Sequence, residues 1–168
     1  YTQAFSPVAK FTTLRTVLSV ASARNYPIHQ LDINNAFLHD FIDEEIYMVP
    51  PLGYDKAKKG QVCRLKRSLY GLKQASKQWN LQLTTTLLKR DFVQSKYDYS
   101  LFYHKTAHTY TVILVYVDDL LITGNDPYLI QQMKAVLDFA FTIKDLGLIK
   151  YFLGIEVKQG DDGIFICQ

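Results

Sequence analysis

Two adjacent carboxylates interrupt the most strand-like segment of the chain. Asp118 and Asp119 lie within TYTVILVYVDDLLITG (109–124), in which ten residues are β-branched or aromatic. Like charges repel and burial disfavours the ionised form, so such a pair is either exposed at a hairpin turn or neutralised by a cation. A tight turn usually recruits Gly or Asn, and VDDL has neither. The flanks therefore favour a divalent cation, which prefers oxygen ligands.

A third carboxylate is needed to complete such a site. Asp32 ends the apolar segment IHQLDI. By itself it is equally well explained as a cap for the INNAF turn that follows. Taken with the pair, it fits the two-metal arrangement that transfers phosphoryl groups.

The elements that must position these aspartates alternate in an α+β order. Helices are predicted from Ser6-Pro7 to Pro27, from Lys73 to Arg90, and onward from Asp126-Pro127, because apolar residues recur there at helical spacing behind cap or proline signals. Strands are predicted at 28–33, 45–49, 60–65, 100–105, 109–117, 120–124, 149–159 and 163–168, with a turn at Asp161-Asp162-Gly163. This order predicts an antiparallel sheet covered by helices on one face.

Composition sets the outer bounds. The chain has 168 residues, is 48% hydrophobic and carries a net charge of +3, which indicates one folded domain that tolerates an anionic partner. No segment is long enough to span a membrane, and no signal peptide is visible. The chain lacks an initial Met, so we expect a piece of a longer protein. Cys63 and Cys167 suggest neither zinc nor a disulfide framework, which favours a reducing, intracellular setting.

Five motifs in order resemble the reverse transcriptases of Ty1/copia-type retrotransposon Pol polyproteins. They are LDINNAF, YMVPPLGY, RSLYGLKQASKQWN, YVDD and KYFLGIEV. The resemblance spans essentially the whole chain. It implies an RNA-directed DNA polymerase with a palm-like antiparallel sheet packed on helices and part of the fingers. It also implies two Mg²⁺ ions (or Mn²⁺), a primed RNA or DNA template, deoxynucleoside triphosphates, the rest of the polyprotein as partner, and a cytoplasmic, virus-like-particle setting without a membrane.

The resemblance also implies residue roles. Asp32, Asp118 and Asp119 match the catalytic, metal-binding aspartates, and Lys144 lies at or near the position of a general acid for pyrophosphate. Phe37 matches the aromatic residue that screens the sugar 2′ position. Gln74 and Ala75 match the motif beside the incoming nucleotide and the template. Phe152, Leu153 and Gly154 belong to a segment that resembles the primer grip.

A basic run separates the first aspartate from the pair. Eight Lys or Arg and no Asp or Glu lie between Lys56 and Lys77. A solvated face is the usual explanation, but the interleaved Tyr70 and the nearby Trp79 favour a nucleic-acid groove. We predict that groove for Arg64, Lys66, Arg67 and Lys73, and solvent for Lys56 to Lys59. Trp79, at helical spacing, is predicted to be a core residue.

Several features stay outside this scheme. His104 and His108 flank a predicted hairpin and do not suggest zinc, and His39 is given no role. Asp40-Phe41 replaces a turn that usually contains Gly in the family. The upstream fingers strands, the thumb and RNase H are expected to lie outside this sequence. Two alternatives remain, a catalytically inactive nucleic-acid-binding remnant and an unrelated α+β domain that binds RNA through aromatic residues.

Overall fold

The computed structural model describes residues 8–34, 45–56, 58, 60–69, 72–160 and 163–167, apart from the side chains of residues 73, 74 and 159. The helices are α1 Phe11–Ala23, α2 Lys73–Leu88 and α3 Pro127–Phe141. The strands are β1 Ile28–Ile33, β2 Tyr47–Met48, β3 Cys63–Arg64, β4 Val93–Gln94, β5 Leu101–Lys105, β6 Tyr110–Tyr116, β7 Asp119–Gly124, β8 Ile143–Leu148, β9 Tyr151–Phe152, β10 Ile155–Gly160 and β11 Gly163–Cys167. Among the described helices, none is long and apolar enough to cross a membrane.

A six-stranded antiparallel sheet forms the centre of the fold. Its strand order is β4-β5-β6-β7-β1-β8, so the first long strand of the chain inserts between β7 and β8. Strands β11-β10-β9 form a second antiparallel sheet, and β2 pairs with β3 in a short ribbon. The predicted α+β class with a mainly antiparallel sheet is confirmed.

Helix α2 forms because its apolar residues recur every four positions. Ala75, Trp79, Leu83 and Leu87 are all buried along one stripe. Helix α3 begins as the Asp-Pro signal predicted: the Asp126 carboxylate accepts a hydrogen bond of 2.9 Å from the Leu129 N–H. These two helices cover one face of the large sheet and close the larger apolar core.

The other face of the large sheet is also covered. Helix α1 and the β9–β10 strands pack there in a second core, against Ile28, Leu114 and Leu121. The prediction that the helices cover one face is therefore wrong for α1. The near-continuous run of buried residues along β6 and β7 fits a sheet that is buried on both faces.

Two predicted boundaries are also wrong. Helix α1 begins at Phe11, because Val8 is engaged in an antiparallel bridge with Tyr116, while Ser6 and Pro7 lie outside the described residues. The single strand predicted over 149–159 is divided into β9 and β10 by Leu153 and Gly154, which both have positive φ. Positive φ at two consecutive residues turns the chain back on itself. Strands β4 and β8 were not predicted.

Candidate active site

Three neighbouring strands bring charged residues into one row across the sheet. Asp32 on β1 is paired with Asp119 on β7 and, on its other side, with Lys144 on β8. Directly paired residues of antiparallel strands project from the same face. Asp32, Asp119 and Lys144 therefore share one face at one end of the sheet, which is the juxtaposition that the sequence predicted for the aspartates.

The aspartate pair lies in a two-residue hairpin. Tyr116 pairs with Asp119, so Val117 and Asp118 form the loop. Val117 has φ of 58° and Asp118 does not have positive φ, the pattern of a type II′ turn. Glycine is favoured at the first position of this turn, and a β-branched residue there is strained by about 1–3 kcal/mol. The segment is thus a hairpin without its usual glycine, and both aspartates are half-buried.

Two hydrogen bonds hold this strained loop. The indole N–H of Trp79 donates to the Val117 carbonyl at 2.9 Å, and the Ile33 N–H donates to the Asp118 carbonyl at 2.9 Å. Trp79 is fully buried and meets the Phe141 ring edge-on, with 4.9 Å between ring centroids. The predicted core position of Trp79 is confirmed. Its polar atom also fixes the backbone between the strands that carry the aspartates.

The electrostatics of the row disfavour a second and third negative charge. Burial raises the pKa of Asp119, and the neighbouring charges of Asp118 and then Asp32 raise it further. A hydrogen bond from the Gln30 amide, which is itself buried, opposes that rise in pKa. A bound cation would relieve the mutual repulsion of these carboxylates, and carboxylate oxygens are the donors that a hard divalent cation prefers. The donor set therefore fits such an ion.

The carboxylates are not already gathered around one point. Within the described part of the chain, no three His, Cys, Asp or Glu side chains form a group that could hold a metal ion as they stand. Side-chain rotation about the fixed backbone row, rather than movement of the strands, would be enough to converge Asp32 and Asp119, because paired Cβ atoms lie only about 4.5–5.5 Å apart.

A buried lysine anchors the strand that carries Lys144. The Lys134 ammonium on α3 contacts the Asp145 carboxylate at 2.8 Å and the His29 Nδ1 at 3.1 Å. Burial lowers the pKa of His29, and the Lys134 charge lowers it further, against the opposing effect of Asp145. Neutral His29 can accept from Lys134, so β1 and β8 are tied to α3 beside the charged row.

The predicted nucleotide residues are only partly described. Ala75 is buried in the α2 stripe, where a larger side chain would press on the core. The side chain of Gln74 and all of Phe37 lie outside the described residues, as do His39 and Asp40-Phe41.

The predicted groove residues are exposed where they are described. Arg64 forms an ion pair with Glu45 at 3.0 Å on the β2–β3 ribbon. Lys66 and Arg67 are exposed, while the Lys73 side chain and Tyr70 lie outside the described residues. The ion pair of Arg64 is solvent-exposed, so it contributes little to stability.

The predicted primer grip divides into two environments. Phe152 is only 2% exposed and packs in the core beneath α1. Leu153 and Gly154 form the β9–β10 turn, with φ of 53° and 77°. Any contact with a primer strand must therefore come from the turn, since the Phe152 side chain is turned inward.

Sequence reasoning missed the supporting roles of Gln30 and Trp79. The signal for Trp79 was available, because a buried indole N–H almost always needs an acceptor. The signal for Gln30 was its position two residues before Asp32, which places both side chains on the same face of β1.

Comparison with known proteins decides the family. The model of the family described as reverse transcriptase (RNA-dependent DNA polymerase) matches residues 1–168. The chain belongs to the reverse transcriptase family. Members of this family normally use divalent metals, in agreement with the donor set described above.

The relatives of this reverse transcriptase domain are Ty1/copia-type Pol polyproteins. It is 46% identical over 169 residues to the retrovirus-related Pol polyprotein from transposon RE2 of Arabidopsis thaliana, covering all of this chain and 12% of that protein. It is 39% identical over 161 residues to the Pol polyprotein from transposon TNT 1-94 of Nicotiana tabacum, covering 95% of this chain and 12% of that protein.

A yeast relative is more distant. The chain is 34% identical over 154 residues to the transposon Ty1-GR3 Gag-Pol polyprotein of Saccharomyces cerevisiae, covering 86% of this chain and 8% of that protein. The chain thus spans about an eighth or less of the length of these three relatives. No solved structure matches it.

Proposed function

We propose that this domain supplies the catalytic carboxylates of an RNA-directed DNA polymerase, which adds deoxynucleotides to the 3′-hydroxyl of a primer on an RNA or DNA template. The observation that carries the proposal is the row in which Asp32 is paired with Asp119 on one side and Lys144 on the other. A carboxylate pair flanked by an ammonium group suits phosphoryl transfer, in which charge neutralisation and positioning supply most of the catalysis.

Asp32, Asp118 and Asp119 would hold two Mg²⁺ ions, with Mn²⁺ as the alternative. When bound, such ions lower the pKa of the attacking hydroxyl and neutralise the leaving pyrophosphate. The raised pKa of Asp119 supports this assignment, because a group that is costly to ionise alone becomes stable beside a cation.

Lys144 would act at the leaving group. It is exposed on β8 beside Asp32, so its ammonium can reach a ligand above the sheet. We assign it the donation of a proton to the pyrophosphate. Phe37 would exclude the ribose 2′-hydroxyl by its shape, and Gln74 and Ala75 at the start of α2 would border the incoming nucleotide.

The remaining assignments concern the nucleic acid. Arg64, Lys66, Arg67 and Lys73 would contact phosphates, and Leu153 and Gly154 at the β9–β10 turn would contact the primer. The rest of the Pol polyprotein would complete the enzyme, since this chain is a small part of its relatives. A primed template and deoxynucleoside triphosphates are the expected substrates.

Primer extension by the complete polyprotein tests the proposal. Asp118→Asn removes a negative charge without changing shape, and it should abolish extension in Mg²⁺ while binding to the primed template stays near wild type, because phosphate contacts dominate that affinity. Asp55→Asn is the matched control, since Asp55 is exposed and far along the chain from the row. Equal extension by Asp118→Asn and wild type would refute the mechanism. A wild-type polyprotein that binds but never extends would favour the inactive remnant.

A further inference from the structure

The loop between β4 and β5 alternates buried polar residues with exposed aromatic ones. Tyr97 is 91% exposed and Tyr99 is 64% exposed, whereas Asp98 and Ser100 are buried. An exposed aromatic side chain is common on its own. Two of them held outward by two buried anchors form a defined surface, which we call the tyrosine platform (residues 95–100).

Asp98 fixes the platform to α1. Its carboxylate accepts hydrogen bonds from the Lys10 N–H at 3.1 Å and from the Thr13 hydroxyl. It also accepts from the N–H and the hydroxyl of Ser100, at 3.0 and 2.6 Å. Burial alone would raise the pKa of Asp98, but these hydrogen bonds outweigh it and lower the pKa. The anchor is therefore an ionised carboxylate whose negative charge is stabilised by hydrogen bonds from within the protein.

The backbone of both tyrosines is also held. The Lys10 ammonium donates to the Tyr97 carbonyl at 2.9 Å, and the Gln94 amide donates to the Tyr99 carbonyl at 2.7 Å. A rigid backbone leaves only side-chain rotation to be lost when the rings bind a partner. Binding through these rings therefore carries a smaller entropic cost than binding through a flexible loop.

The two chain segments that form and anchor the platform carry more basic than acidic side chains. Asp98 is the only carboxylate between Phe92 and Val117, and it is buried. No Asp or Glu occurs between Val8 and Leu31, a segment that contributes Lys10 and Arg15, and Lys96 is exposed within the platform itself. The partner that complements this surface is a polyanion with flat faces.

The platform lies at the aspartate end of the large sheet. The Val115 N–H donates to the Ser100 carbonyl at 2.9 Å, and Val8 bridges to Tyr116 just before the hairpin loop. Strand β5 leaves the platform antiparallel to β6, with Leu101 paired to Leu114. A strand of nucleic acid on the platform would therefore run beside the Asp118–Asp119 hairpin.

We propose that the tyrosine platform binds single-stranded nucleic acid, with unpaired bases stacked on Tyr97 and Tyr99 and phosphates beside Lys10 and Lys96. Base–aromatic stacking is tolerant of sequence, and it requires bases that are not already paired. This site would bind part of the template of the proposed polymerase. It rests on the proposed function only for the role of a strand bound near the aspartates.

Binding of a fluorescein-labelled dT20 oligonucleotide to the 168-residue chain at low salt tests the platform. Tyr97→Ala combined with Tyr99→Ala should weaken binding by about tenfold or more, whereas Tyr97→Phe with Tyr99→Phe should bind like wild type, because the ring and not the hydroxyl is used. Tyr128→Ala is the matched control, since Tyr128 is 73% exposed on α3. All variants should keep the wild-type melting temperature. Unchanged binding by the double alanine variant would overturn the proposal.

Photo-cross-linking provides a second measurement that does not depend on a variant. An oligonucleotide carrying 5-iodouracil should cross-link to Tyr97 or Tyr99, as mapped by peptide mass spectrometry, and duplex DNA of the same sequence should not. Cross-links found only elsewhere would refute the platform. Asp118→Asn in the polyprotein should abolish extension and leave these cross-links intact, so loss of one result without the other tells the platform and the catalytic assignment apart.

Discussion

Replacement of the only tryptophan in the chain would separate packing from positioning. Trp79→Phe keeps an aromatic ring beside Phe141 but removes the donor to the Val117 carbonyl, which the structure places 2.9 Å from the indole nitrogen. A part-buried carbonyl left without its partner costs up to about 1–3 kcal/mol. The smaller ring adds roughly 1 kcal/mol of lost contact. We therefore expect the free energy of unfolding to fall by about 2–4 kcal/mol.

The loss of kcat for extension should be larger than the lost free energy of unfolding alone would explain. Val117 is strained at φ of 58°, and the released turn can relax by moving the backbone that carries Asp118. In the complete polyprotein, Trp79→Phe should lower the kcat for extension while the KM for the primed template changes little. Phe141→Leu is the matched control, because it loses a similar amount of aromatic contact and keeps the hydrogen bond.

Two measurements check this reasoning. Urea unfolding followed by circular dichroism gives the stability of both variants, and steady-state extension gives kcat and KM. The wild-type chain should also show one indole N–H resonance that exchanges slowly with solvent. If Trp79→Phe and Phe141→Leu lose kcat in proportion to their lost stability, Trp79 acts only as a packing residue. A stability loss under about 0.5 kcal/mol would show that the hydrogen bond is not formed in solution.

Three further perturbations follow from the same structure. The folded-state pKa of Asp98 is lowered, so its contribution to stability is present above its unfolded pKa near 4 and is lost as the pH falls through the lower folded-state pKa. Asp98→Asn should cost about 2–3 kcal/mol in urea unfolding at pH 7, and this cost should shrink as the pH is lowered below about 4. A loss that is independent of pH would contradict the role of the charge. Phe37→Ala in the polyprotein should raise incorporation of ribonucleotides relative to deoxyribonucleotides, and an unchanged ratio would assign Phe37 another role. The 168-residue chain alone should bind a primed template weakly, with strong salt sensitivity, and should not extend it; extension that Asp118→Asn abolishes would show that this domain suffices.

Much of the fold was predictable because local signals agreed with tertiary structure. The Asp126-Pro127 start of α3, the α2 stripe and the β5–β6 hairpin rest on capping, periodicity and turn chemistry within a few residues. For Asp32 and Asp119, the sequence predicted only that the two side chains lie close together. Its register, and the inclusion of Lys144, depend on β1 entering between β7 and β8, which no local pattern encodes.

The misjudged segments are those in which a distant contact overrides the local pattern. Val8 continues a helical pattern in the sequence, but its bridge to Tyr116 holds it extended, so α1 starts later. Segment 149–159 looks continuous, yet the positive φ values at Leu153 and Gly154 turn it into a hairpin that covers the second core. The packing of α1 on the face opposite α2 and α3 was not predicted, because the sequence of α1 alone does not indicate which face of the sheet it covers.

Strain and charge repulsion are concentrated at one end of the large sheet, while the apolar packing that offsets them lies further along the same strands. The β-branched Val117 at positive φ, the half-buried aspartates and the buried Gln30 would each destabilise an isolated hairpin. They are tolerated because Leu120, Leu121 and Ile122 on β7 are fully buried between two cores directly behind them. A glycine at position 117 would relieve the strain, but it would also widen the range of conformations open to Asp118. The restricted backbone, fastened by Trp79 and Ile33, keeps the strands that carry the aspartates in register, so that only side-chain rotation is left for a cation to bring about.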